Sequence, residues 1–100
     1  MIELKALKYT CEEFGVSHEA LLQKGKRPRQ NERIARAVMY YAIRQAHNWT
    51  YREIGEAYGV SLTIPFREVK WLESFIDSSY VAILHKKALS IVIKLMEIKE

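Results

Sequence analysis

Residues 48–73, NWTYREIGEAYGVSLTIPFREVKWLE, decide how the rest of the chain is interpreted. Thr50 and Glu53 have the three-residue spacing of a capping box, which predicts that a helix begins directly after Thr50. This helix, YREIGEAY, is predicted to end at Gly59, because glycine adopts the left-handed backbone that a tight turn needs. The stretch therefore predicts a short helix followed by a sharp turn.

A second helix is predicted after the turn. It should begin at about Thr63 or Pro65, since proline suits the first turn of a helix, and it should end near Ile76. Two short helices around a tight turn are typical of a helix-turn-helix. The residues predicted to pack inward are Ile54, Ala57, Val60, Phe66, Val69 and either Trp71 or Leu72.

Outside this stretch, apolar residues recur every three or four positions, and no window shows sustained strand alternation. The pattern predicts four further helices: Leu4 to Phe14, HEALLQ behind a Ser17 cap, about Glu32 to His47, and Tyr80 to about Lys99. In the third of these, the predicted core-facing residues are Ile34, Val38, Tyr41 and Ala42. We therefore predict an all-α fold of five to six helices, containing the helix-turn-helix, as a single domain over residues 1–100.

The positive charge of the chain is concentrated in one segment. Between residues 23 and 36 there are six cations, Lys24, Lys26, Arg27, Arg29, Arg33 and Arg36, and one anion, Glu32. The segment carries +5, and since the whole chain carries +4, the other residues sum to −1. Such a cluster favours a polyanionic partner, and the alternative is a solvated loop that uses charge for solubility.

Other signals limit the class of protein. The only cysteine, Cys11, has no partner for an internal disulfide, which favours a reducing compartment, and we expect a cytoplasmic protein. The most apolar stretch, Tyr80 to Ile98, contains too many charges for a membrane span. The three histidines are far apart, and no spacing supports a catalytic or metal-binding motif. We expect no enzymatic activity, no metal and no cofactor.

Two segments of the chain resemble a known family. They are YTCEEFGVSHEALLQKGKR (residues 9–27) and IARAVMYYAIRQAHNWTYREIGEAYG (residues 34–59). Together they resemble the C-terminal DNA-binding domain of the bacterial replication initiator DnaA, which belongs to the Trp-repressor-like helix-turn-helix superfamily. The Ser/Thr-x-x-Glu-Ile-Gly run of that family corresponds to Thr50–Gly55. The resemblance covers roughly Tyr9 to Glu73, and the match of the last helix is weak.

The resemblance implies that duplex DNA is the partner. In the family, the loop that corresponds to the basic segment lies against the DNA backbone and minor groove, and helix N-termini can bind phosphate. The residues that we expect to contact DNA are Lys24, Lys26, Arg27, Arg29, Arg33 and Arg36 from the basic segment, Thr50, Tyr51 and Arg52 at the start of the first motif helix, and Ser61, Thr63, Arg67 and Lys70 in the second.

The chain departs from the family at the base-reading positions. There the family has Asp-His-Ser/Thr-Thr-Val, whereas this chain has LTIPF at residues 62–66. Phe66 is predicted to replace the valine as a core anchor, and Leu62 or Ile64 to touch a thymine methyl. We therefore expect a DNA-binding protein that serves the regulation of replication or transcription of a chromosome or mobile element, with a target unlike the site of the initiator. The alternative is a protein-interaction module that keeps the fold and has lost sequence-specific reading.

The last helix carries a heptad pattern. Its two rows are Val81, Ala88 and Leu95, and Leu84, Ile91 and Ile98. One interpretation is that this stripe packs on the rest of the domain. The other is a homodimer through the C-terminal helix, because Ile83, Leu89 and Ile93 lie off the stripe and are apolar too.

Overall fold

The computed structural model describes residues 2–22, 29–74 and 82–98. These ranges contain six helices and no strand, which confirms the predicted all-α class. The helices are α1 (Ile2–Phe14), α2 (His18–Leu22), α3 (Gln30–His47), α4 (Tyr51–Tyr58), α5 (Thr63–Glu73) and α6 (Ala82–Met96). Helix α4 has the predicted bounds, and α5 begins at the earlier of its two predicted starts, while its predicted end near Ile76 lies outside the described residues.

Helix α3 is the centre of the domain, because α1, α5 and α6 all pack against it. It is consequently buried on several sides rather than along the one stripe that its spacing predicts. Ile34 and Tyr41, predicted to face the core, are only half-buried. The buried residues of α3 are Ala35, Ala37, Val38, Met39, Tyr40, Ala42 and Ile43. Three alanines in this set allow neighbouring helices to approach the α3 backbone closely.

Helix α6 packs on its own domain. The buried residues Leu84, Ala88, Ile91 and Leu95 of the heptad pattern belong to the core that α6 shares with α1 and α3. Of the two interpretations of the heptad pattern, packing on the rest of the domain is therefore confirmed for these four residues, while Val81 lies outside the described residues. The off-stripe side chains Ile83, Leu89 and Ile93 are exposed.

Polar contacts fix the position of α6 on the other two helices. Ser90 Oγ donates a hydrogen bond to Glu13 Oε1 over 2.9 Å, and Lys94 Nζ lies 3.7 Å from the same carboxylate oxygen. At the end of α3, His47 Nε2 lies 2.7 Å from the Leu95 carbonyl oxygen. Because that carbonyl oxygen can only accept, the His47 ring donates to it and joins α3 to the last turn of α6.

The junction between α3 and α4 is defined by local backbone geometry. Asn48 adopts a left-handed conformation, with φ of 56°, and its N–H donates to the Arg44 carbonyl, which ends α3 as predicted. Arg44 Nη1 then donates to the Trp49 carbonyl over 2.7 Å. The next residue, Thr50, is the N-cap of α4, so this corner determines the direction in which α4 leaves α3.

Candidate nucleic-acid interface

The capping box at the start of α4 is confirmed. Thr50 Oγ1 accepts from the Glu53 N–H over 3.1 Å, and Glu53 Oε1 accepts from the Thr50 N–H over 2.9 Å. This arrangement satisfies two backbone donors and also places the Glu53 carboxylate at the helix N-terminus. A phosphate that approached this end of α4 would therefore meet a negative charge as well as the positive end of the helix dipole.

Helix α4 ends in a Schellman motif, a helix C-terminus in which the left-handed residue is most often glycine. Gly59 has φ of 69°, and the Val60 N–H donates to the Gly55 carbonyl over 2.8 Å. Ser61 lies two residues before α5, and its Oγ accepts from the Thr63 N–H at 3.3 Å while its carbonyl accepts from the Ile64 N–H at 3.0 Å. These contacts satisfy backbone donors in the first turn of α5, whose N-cap residue is Leu62.

Gly55 allows this turn to fold back onto α4. A Cβ atom at position 55 would lie 2.7 Å from the Val60 carbonyl oxygen and 3.2 Å from the Leu62 backbone nitrogen. Both neighbours are backbone atoms, so no side-chain rotation could relieve the contact. The close approach fixes the start of α5 relative to α4. We refer to residues 51–73 as the α4–α5 unit.

The α4–α5 unit is also attached to the N-terminal helix. The Tyr58 hydroxyl donates to the Glu3 carbonyl over 2.8 Å, and the Tyr58 ring packs at 5.9 Å, centroid to centroid, from Tyr40 of α3. Burial raises the pKa of Tyr40 to about 12, and burial together with Tyr40 raises the pKa of Tyr58 further. The raised pKa values extend the protonated range of both hydroxyls further into alkaline pH, and the Tyr58 hydroxyl uses its proton in the bond to Glu3.

Exposed residues follow the outer side of α5 from Leu62, which directly precedes it, to Glu73, and we call five of them the α5 face: Leu62, Thr63, Phe66, Arg67 and Lys70. Leu62, Phe66 and Lys70 follow one another at intervals of four residues, and Thr63 and Arg67 form a parallel row. Each row is therefore continuous along the helix surface. The predicted contact residues Thr63, Arg67 and Lys70 are brought together on this face.

Two expectations for the α4–α5 unit are wrong. Phe66, predicted to anchor α5 in the core, is 43% exposed, and Val69, Leu72 and Pro65 bury the inner side of α5 instead. Ala57, predicted to pack inward from α4, is exposed, whereas Ile54 is buried as expected. Since α4 is only two turns long, Ile54 and the half-buried Tyr58 already supply its contact with the hydrophobic core.

Stacked cations and aromatic rings connect α3, α4 and α5. The Arg44 guanidinium lies 4.1 Å from the centre of the Tyr51 ring, and the Phe66 ring meets Tyr51 edge-on, with centroids 5.2 Å apart. On the other side, Lys70 Nζ lies 5.8 Å from the Phe66 centroid and 3.6 Å from Glu73 Oε1. The Tyr51 ring is therefore occupied by packing, although it was expected to contact DNA.

A polar cleft of about 370 Å³ opens beside these rings. The residues that line it are Tyr41, Arg44, Gln45, Asn48, Tyr51, Val69, Lys70 and Glu73. Arg44 is not among the residues predicted for the site, because its contact with Tyr51 depends on the left-handed corner at Asn48. An Arg seven residues before a Tyr across a helix break is the only sequence signal of this pairing.

Arg33 and Arg36, expected to contact phosphates, are directed toward α5. Arg33 Nε donates to Glu68 Oε2 over 3.3 Å, and Arg36 Nη2 lies 3.7 Å from Glu68 Oε1. The Arg33 guanidinium also stacks 3.9 Å above the Trp71 ring. Only 15% of the Arg36 side chain is exposed, so these two arginines mainly hold α5 against α3.

The remaining predicted residues fall into two groups. Arg29 and Arg52 are exposed, the first at the start of α3 and the second in the first turn of α4. The Arg29 N–H donates to Glu32 Oε1 over 3.0 Å, so the backbone of Arg29 takes part in capping α3. Lys24, Lys26 and Arg27 lie outside the described residues.

Within the described ranges, no three His, Cys, Asp or Glu side chains come together as metal ligands would. No helix in these ranges combines the length and apolar character that crossing a bilayer requires. Burial raises the pKa of the Cys11 thiol, with a smaller contribution from Glu12, which keeps Cys11 protonated as a core residue.

Comparison of the chain with protein-family models, with curated proteins and with solved structures finds no match.

Proposed function

We propose that the chain binds duplex DNA, with α5 in the major groove, and that it regulates replication or transcription of a chromosome or mobile element. The observation that carries this proposal is the α5 face, which projects Thr63, Arg67 and Lys70 outward from a helix whose start is fixed by the contact between Gly55 and Leu62. A helix presented in this way is what a helix-turn-helix protein inserts into a major groove. On this proposal α4 and α5 are the two helices of such a motif, in a DnaA-like arrangement.

The charges around the α5 face support the proposal. Arg52 is exposed at the start of α4, and Arg67 and Lys70 are exposed on α5. The side chain of Glu68 is 14% exposed and engaged by two arginines, and Glu73 is paired with Lys70. The carboxylates of α5 are therefore neutralised within the fold, while Arg52 and Arg67 supply positive charge that phosphates can meet.

We expect Arg52→Ala to weaken binding to all duplexes alike, because an interaction with phosphate carries no sequence information. The slope of log affinity against log salt concentration should become shallower by about 0.9, the value for one phosphate that is no longer neutralised. Fluorescence anisotropy with random duplexes across a salt series measures both quantities. Lys86→Ala, which removes an exposed cation of α6, is the matched control and should leave the slope unchanged. If Arg52→Ala binds as the parent does, α4 does not lie on the DNA backbone.

A second candidate function is favoured by the outer side of α6, which exposes the apolar side chains Ile83, Leu89, Ile93 and Met96. These residues suit a protein-interaction module, including a homodimer through α6 that uses this outer side rather than the buried heptad rows. On this alternative the parent sediments as a dimer, and Leu89→Glu with Ile93→Glu gives a folded monomer. A parent that is monomeric at high micromolar concentration contradicts the homodimer.

A further inference from the structure

The apolar part of the α5 face has no role in the phosphate contacts proposed above. Leu62 and Phe66 are 42% and 43% exposed, and they lie one helical turn apart at the start of α5, where Leu62 is the N-cap. Ile64, the other residue expected to meet a base, is packed against the core and half-buried. Two large apolar side chains thus remain at the end of α5 from which a recognition helix contacts bases.

The Phe66 ring is restrained by packing on one edge. It packs edge-on against Tyr51, at an interplanar angle of 83°, and Arg44 covers the other part of Tyr51. The Leu62 carbonyl accepts from the Phe66 N–H over 3.2 Å, so the two residues belong to one continuous turn. An apolar group that is already restrained by packing loses less conformational entropy when a ligand covers it than a free side chain does.

We infer that Leu62 and Phe66 contact the 5-methyl groups of thymine in the major groove, so that the chain prefers sites in which thymines occupy this part of the groove. The inference rests on the proposed duplex binding and deepens it. Among the base edges in the major groove, the thymine methyl is the apolar feature, and aliphatic or aromatic side chains are its natural partners. Thr63 and Arg67, in the parallel row, remain for polar edges.

Charge decides between DNA and a protein as the occupant of this surface. The apolar pair is bordered by Thr63 and Arg67 on one side and by Lys70 at its end, and the nearby Glu73 carboxylate is paired with Lys70. A polyanion with apolar groups on its accessible edges matches this combination. A protein partner would match it only with acidic side chains around its own apolar contact.

The experiment compares thymine with uracil, which differ in the 5-methyl group alone. Duplexes that bind best are selected from a random pool, and each thymine is then replaced by uracil, one position at a time. We expect affinity to fall about fourfold for each methyl group that becomes buried against the protein. In the variant Leu62→Ala/Phe66→Ala, the same replacements should have no effect, while the variant still binds through its cations.

Leu4→Ala/Leu22→Ala is the matched control, because these residues of α1 and α2 are 52% and 42% exposed and apolar as well. This variant should retain the full preference for thymine over uracil. If selected duplexes bind the parent equally with thymine or uracil at every position, the inference is overturned while the proposed duplex binding stands. If no duplex is bound at any salt concentration, both are overturned, and a protein partner for the α5 face becomes the explanation of its exposed apolar pair.

Discussion

Gly55→Ala should destabilise the domain by about 2–3 kcal/mol, as expected for an overpacked site that cannot relax. The added Cβ would lie 2.7 Å from the Val60 carbonyl oxygen and 3.3 Å from the Leu62 Cα, so the turn must move as a whole. This loss of stability is the opposite of the general rule, because replacing a helical glycine by alanine ordinarily stabilises a protein by about 1 kcal/mol. Urea unfolding of the parent and the variant measures the difference.

Glu56→Ala is the control for Gly55→Ala, since it introduces alanine at the next, exposed position of the same helix. It should change the free energy of unfolding by less than about 0.5 kcal/mol. Because Gly55→Ala displaces the start of α5, it should also weaken DNA binding at temperatures where the variant is still folded. A variant as stable as the parent would mean that the turn does not lie against α4.

Glu68→Ala should lower the free energy of unfolding by about 2–3 kcal/mol. Removing one member of a fully buried ion pair costs roughly 3–5 kcal/mol, because the remaining charge stays buried. Here the cost is smaller, since 41% of the Arg33 side chain is exposed and water stabilises its charge. The Arg36 side chain, 15% exposed, accounts for most of the expected decrease.

Glu73→Ala is the matched control, because Glu73 is also a glutamate of α5 paired with a cation, Lys70, but 44% exposed. An exposed pair of this kind contributes about 0.2–1 kcal/mol. Where the Glu68→Ala variant is folded, its affinity for duplex DNA should rise, because one negative charge is removed and the Arg33 guanidinium is released. Equal decreases in stability for Glu68→Ala and Glu73→Ala would contradict a bridging role for Glu68.

Local signals allowed much of the fold to be predicted from the sequence. The capping box of Thr50 and Glu53, the left-handed Gly59 and the boundary at Asn48 each depend on residues within one turn of the chain. Such features are encoded by backbone geometry and by short-range hydrogen bonds, which a sequence pattern contains directly. The bounds of α4 follow from them.

The candidate site was harder to predict, because several of the contacts that decide it join segments that are far apart in the sequence. Arg33 and Glu68 are 35 residues apart, so nothing in the basic segment indicates that its arginines are engaged by α5. Phe66 has the apolar spacing of a core residue, yet Val69 and Leu72 already fill the space beneath α5. Periodicity predicts which residues share a side of a helix, but the neighbouring helices decide which side is covered.

The attachment of α6 to α1 and α3 has a consequence for the order in which the chain folds as it is synthesised. A nascent chain that ends at Ser74 already contains α1, α3 and the α4–α5 unit, but it lacks the Ile91 and Leu95 side chains that complete the core. The hydrogen bond between Glu13 and Ser90 joins residues 77 positions apart, and the bond between His47 and the Leu95 carbonyl joins residues 48 positions apart. These contacts can form only after the second partner has been synthesised, and the apolar surface that α6 covers stays exposed until then. We therefore expect the apolar side chains that α6 covers to stay exposed during translation until α6 has left the ribosome.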